Sequence, residues 1–115
     1  MHVDLKLRRI ALLREVFSEV VTQKSFDDLR SIRLLRFDFF LPEYNVLIEV
    51  DGDQHYDPNN IRYSEEQAAR DRLKRDYVEN NPELTLFRIP ISPRKTFKDR
   101  LQIIITTISG RRSSN

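Results

Sequence analysis

Residues 37–56 read FDFFLPEYNVLIEVDGDQHY, and the fold turns on how this stretch is divided. Phe37 to Leu41 belongs to a longer run, residues 32–41, that is rich in β-formers and ends at Pro42. After the turn Pro42-Glu43-Tyr44-Asn45, the run Val46-Leu47-Ile48-Glu49-Val50 resumes the same character. Two β-forming runs joined by a four-residue turn make a β-hairpin. The second arm is apolar on both faces, which marks a central strand covered by helices rather than an edge strand.

Upstream, the apolar positions Leu5, Leu7, Ile10, Leu12, Leu13, Val16, Phe17, Val20 and Val21 recur at steps of three and four and predict an amphipathic helix over residues 4–23. Downstream, Ser64 followed by Gln67 has the form of a capping box, and SEEQAARDRLKRDYVENN continues as a charged helix with a narrow stripe of Ala69, Leu73, Tyr77 and Val78. Asn80-Asn81-Pro82 stops it, and LTLFRIP gives a short strand. Pro93 opens a last helix carrying Phe97, Leu101, Ile104, Ile105 and Ile108. The predicted order is α-β-β-α-β-α. A helix between the last two strands makes that pair parallel, so the fold class is α/β, a mixed sheet of a β-hairpin plus a parallel strand flanked by helices.

With 115 residues, 39% hydrophobic and 33% charged, the chain is expected to fold as one domain over residues 1–115, with 109–115 as a disordered tail. Lys and Arg number 20 against 18 acids, so a net charge of +2 says little about partners by itself. The absence of cysteine excludes disulfides, Cys-ligated zinc and a thiol nucleophile. The N-terminus lacks an apolar signal core and no apolar run is long enough to span a bilayer, giving the expectation of a cytoplasmic protein without membrane contact.

Asp38 stands between Phe37 and Phe39, where an acid is costly unless it is hydrogen-bonded, paired or bound to a cation. Alternation in the second arm puts Leu47, Glu49 and Asp51 on one face, so the hairpin can bring three carboxylates together. Such a cluster repels itself and favours a hard cation, Mg²⁺, Mn²⁺ or Ca²⁺. Gly52 lets the chain turn just past the strand, and His55 follows at the same mouth as a candidate general base or acid. Arg70, Asp71, Lys74 and Arg75 add charge from the next helix, where Arg70 and Lys74 form an i, i+4 pair suited to phosphate. Metal, base and cations together describe metal-assisted phosphodiester hydrolysis.

The combination of FDFFLPEYNVLIEVDGDQHY with RDRLKRDY resembles the PD-(D/E)XK nuclease superfamily, in the branch of very-short-patch mismatch-repair endonucleases and phage EDxHD homing endonucleases. The resemblance covers about residues 33–89. It implies a restriction-endonuclease-like fold and a Mg²⁺-dependent DNA endonuclease, with Mn²⁺ as a substitute, in a bacterial or phage-infected cell. Residue by residue it implies Asp38, Glu49 and Asp51 as metal or catalytic carboxylates and His55 in proton transfer. Glu15 matches the glutamate that many members carry on the first helix. Two departures stand out: Arg36-Phe37 replaces the proline before Asp38, and Asp51 occupies the position of the usual lysine. Lys74 is then the residue left to supply positive charge at the site, while Arg70 and Arg75 join it in nucleic-acid binding. Such domains work as homodimers or beside a separate DNA-reading domain. The competing expectation is a non-catalytic nucleic-acid-binding module that acts through a partner; a small-molecule phosphohydrolase is a third.

Overall fold

The structure, a computed structural model, describes residues 5–30, 34–51, 61–90 and 97–113, with the backbone alone at 5–6, 51, 61–64 and 111–113. Seven elements follow in chain order: α1 (Leu5–Val16), β1 (Val21–Arg30), β2 (Leu34–Leu41), β3 (Val46–Asp51), α2 (Ile61–Glu79), β4 (Thr85–Pro90) and α3 (Phe97–Ser113). The four strands form one sheet in the order β1-β2-β3-β4. Its first two pairings are antiparallel and the third, β3 with β4, is parallel.

The expected hairpin is β2 and β3. Phe39, Phe40 and Leu41 pair with Ile48, Leu47 and Val46 across it. Its turn closes through the Tyr44 N–H donating to the Leu41 carbonyl at 3.1 Å. Asn45 takes a φ of 52°, a conformation its short polar side chain tolerates. The Asn45 carbonyl accepts from the Thr85 N–H at 3.0 Å and thereby sets the start of β4.

One strand was not foreseen. The helix expected over residues 4–23 ends at Val16, and Val21–Arg30 is a strand at the sheet edge, so the order is α-β-β-β-α-β-α. Val20, Val21 and Thr22 are β-branched and better suited to a pleated strand than to a fifth helical turn. Two further limits move: α2 starts at Ile61, which places Ser64 inside the helix rather than at its cap, and α3 runs on to Ser113 through part of the expected tail. Pro93 lies outside the described residues.

The sheet separates two apolar layers. Leu13 of α1, Phe17 just past its end, and Leu101, Ile104 and Ile108 of α3 pack on Phe39, Leu41, Val46 and Ile48. On the opposite face Leu29, Leu35, Phe37 and Leu47 meet Tyr77 and Val78 of α2. β3 therefore feeds both layers, as its continuous apolar run requires. Tyr77 also donates its hydroxyl to Asp28 at 2.8 Å, tying α2 to β1, and burial together with that acid pushes the phenol up to about 12. Among the described residues no helix is long and apolar enough to cross a membrane.

Candidate active site

The ladder between β2 and β3 changes character one residue beyond the Phe39–Ile48 pair. The Asp38 N–H donates to Oε1 of Glu49 at 2.9 Å, and the Val50 N–H donates to Oδ2 of Asp38 at 2.8 Å. Carboxylates have taken the places that backbone carbonyls fill in a regular antiparallel pair, and such charge-assisted bonds are stronger than the neutral ones they replace. The two acids thus order each other's strand.

The same row reverses the pleat of two strands. Residues two apart on a strand share a face, yet Phe37 packs in the α2 layer and Phe39 in the α1–α3 layer. β1 turns over in step: Thr22 pairs with Phe39, while Lys24 pairs with Phe37 and lies over the rings of Phe26 and Phe40. Between them Gln23 adopts a φ of 52°, in the left-handed region that L side chains rarely occupy. This inversion conceals β1 in the sequence, since Val21, Phe26 and Leu29 do not fall on one alternating face.

Glu49 is 7% exposed. Its Oε2 accepts from Nζ of Lys74 at 3.0 Å, and that ammonium also lies 5.4 Å from the centre of the Phe37 ring. Burial raises the Glu49 carboxyl above its ordinary value; the Asp38 charge adds to the rise, and Lys74 opposes it. Beside this pair, Arg88 stands level with Glu49 in the parallel register, and its Nη1 is 3.8 Å from Oδ1 of Asp71. Asp71 and Lys74, one turn apart on α2, therefore face an arginine and a glutamate on adjacent strands.

Asp38 lines a cleft of about 200 Å³ together with Arg9, Gln23, Phe39 and Val50. Arg9, which reaches in from α1, has its guanidinium carbon 5.7 Å from the centre of the Phe97 ring. Glu15 is exposed. Six positions beyond Arg9, it sits about 120° round the helix and is not part of this cleft.

The structure thus brings Asp38, Glu49 and Lys74 together. The other expected cations separate: Arg70 donates to Gln67 at 2.8 Å and pairs with Glu66 at 3.9 Å, while Arg75 lines an open groove with Val78, Glu79, Leu86 and Arg88. Asp51 ends β3 opposite Pro90. Its side chain, and the whole of Gly52 and His55, lie outside the described residues. Sequence reasoning missed Arg9 and Gln23 as cleft residues; neither carries a local signal, because only the register of β1 against β2 brings them to Asp38.

Compared with protein-family models, curated proteins and solved structures, the chain matches none. The chemistry of the donors is therefore the basis for reading the site. Among the described residues no group of three His, Asp or Glu side chains is gathered for a metal. Of the two carboxylates present, Asp38 is the one with an oxygen open to a hard divalent cation. Oδ1 of Asp38 has no partner among the described residues and the neighbouring acid adds negative charge, whereas Lys74 already compensates Glu49 and would have to leave Oε2 for that acid to join a metal.

Proposed function

We propose that the chain is a metal-dependent DNA endonuclease of the restriction-endonuclease-like kind, hydrolysing phosphodiester bonds at the Asp38–Glu49 row. The observation that carries this reading is that two strand acids each accept a backbone N–H from the opposite strand, one of these acids being buried with a raised pKa beside a lysine. Catalytic sites are where burial and like charge are combined in this way. The resemblance of residues 33–89 to the repair and homing nucleases points to the same chemistry.

Mg²⁺, or Mn²⁺ in its place, would be held by Asp38, Glu49 and Asp51 and would supply an activated water and charge neutralisation at the phosphate. The chain's own residues do the rest. The Val50 N–H fixes one oxygen of Asp38 and leaves the other for a ligand. Lys74 favours the ionised form of Glu49 against its burial. Hydrolysis joins a water oxygen to phosphorus as the bond to the sugar oxygen breaks; His55 is assigned the proton lost by that water, and the leaving oxygen takes its proton from solvent. Arg70 and Arg75 contact the DNA backbone at the exposed side of α2, and a second copy or a separate domain reads sequence. A cytoplasmic location accords with this substrate.

Purified protein should nick or cut supercoiled plasmid with Mg²⁺ or Mn²⁺, and Asp51→Ala and His55→Ala should each abolish it. Unchanged cleavage by Asp51→Ala removes the assignment. One observation favours a second reading, a nuclease fold retained for binding: both oxygens of Glu49 are already engaged, by the Asp38 N–H and by Lys74. DNA affinity that falls with salt, without cleavage in either metal, identifies that case.

A further inference from the structure

The cleft beside Asp38 holds two side chains that the carboxylate row does not use. Among the described residues, the guanidinium of Arg9 has an aromatic ring against it and no carboxylate partner, although it shares the cleft with Asp38. The carboxamide of Gln23 likewise has no hydrogen-bond partner among the described residues. Gln23 moreover occupies a left-handed conformation at the third residue of β1. Outliers of this kind persist where surrounding structure holds them, and they gather at ligand sites.

The chemistry of these donors selects an anion. Arg offers a planar fork of N–H groups that matches two phosphate oxygens, and an amide adds a neutral donor. Size selects which phosphate. A cleft of about 200 Å³ is smaller than the roughly 300 Å³ at which sites for whole small molecules begin, so it suits one phosphate group with its adjoining oxygens rather than a complete nucleotide.

We infer that Arg9 and Gln23 form a phosphate-holding subsite that seats one backbone phosphodiester of a DNA strand against Asp38. Arg9 binds its non-bridging oxygens and Gln23 orients it. The inference rests on the nuclease reading and deepens it, because it names the side chains that hold the phosphate beside the carboxylate row. In this arrangement Arg9 and Gln23 are positioning residues on the α1–β1 side of the cleft, across from Asp38 and Val50.

The test uses the full chain and a short DNA duplex, with binding measured by fluorescence anisotropy in Ca²⁺ over a salt series and cleavage measured in Mg²⁺. Arg9→Ala should weaken binding about tenfold, as loss of a charged hydrogen bond does, and lower the slope of log K against log salt by about one. Arg9→Lys should keep the slope and lose affinity, since it retains charge without the fork. Arg14→Ala, which removes an exposed arginine from the same helix, should change neither. Gln23→Gly should raise the melting temperature while slowing cleavage, a combination that a purely structural role for the kink does not give. Arg9→Ala behaving like Arg14→Ala, or Gln23→Gly cutting at the wild-type rate, overturns the inference alone. A wild-type chain that neither binds nor cuts DNA overturns the nuclease reading together with it.

Discussion

The hairpin contains two regions, adjacent in sequence, that are held together on different terms. From Phe39 to Leu41 and Val46 to Ile48 the strands pair regularly, and Leu41, Leu47 and Ile48 are fully buried. One residue further along, at Asp38 and Glu49, carboxylates replace backbone partners, the pleat of β2 reverses, and Gln23 on the neighbouring strand adopts a strained φ. The first region is apolar packing, which is stabilising without reference to any ligand. The second places like charges beside each other at the edge of a core, an arrangement whose use lies in what it can bind.

The contrast can be broken first on its apolar side. Ile48→Ala should cost about 3–4 kcal/mol in urea unfolding, through lost transfer energy and the cavity left between sheet and helices. Lys74→Ala should cost about 2 kcal/mol at pH 8, less than a fully buried pair because both side chains keep some exposure. That loss should shrink towards pH 5. Without Lys74 the Glu49 pKa rises further, and a carboxyl whose folded pKa lies above its unfolded one favours the fold at low pH and loses that advantage as pH rises through the folded value.

Strain gives an effect of opposite sign. Gln23→Gly should gain about 1 kcal/mol, measured as a higher melting temperature, since glycine carries no Cβ penalty at a φ of 52°. Smallest is the effect of Glu49→Gln. The raised pKa of Glu49 makes its stabilising contribution greatest below 4.5 and lost as pH climbs through the folded value, so the glutamine variant should show a flatter melting profile from pH 4.5 to 7. A steeper profile would mean that Lys74, not burial, dominates the environment of this acid.

How much of this was legible beforehand follows the same division. The hairpin, its turn, the parallel strand and the helices α2 and α3 are written in apolar periodicity and in Pro and Asn punctuation, which act over a few residues. β1 was hidden because its alternation breaks at Gln23, and the apolar residues before it continue a helical spacing into Val20 and Val21. Asp38 and Glu49 stood out as charges within apolar strands. Lys74 was expected at the site as its positive charge, though its pairing with Glu49, 25 residues away, was not; Arg9 reaches the Asp38 cleft from another helix and depends on tertiary packing that local pattern does not encode.

The central claim is that the Asp38–Glu49 row is a metal-dependent catalytic site. Asp38→Asn tests it most directly, because asparagine keeps an oxygen for the Val50 N–H while removing the charge. With melting temperatures within a few degrees of each other, wild type should nick supercoiled plasmid in Mg²⁺ and not in EDTA, and Asp38→Asn should nick in neither. Equal nicking by the two proteins, or a folded wild type inert in both Mg²⁺ and Mn²⁺, would contradict the claim.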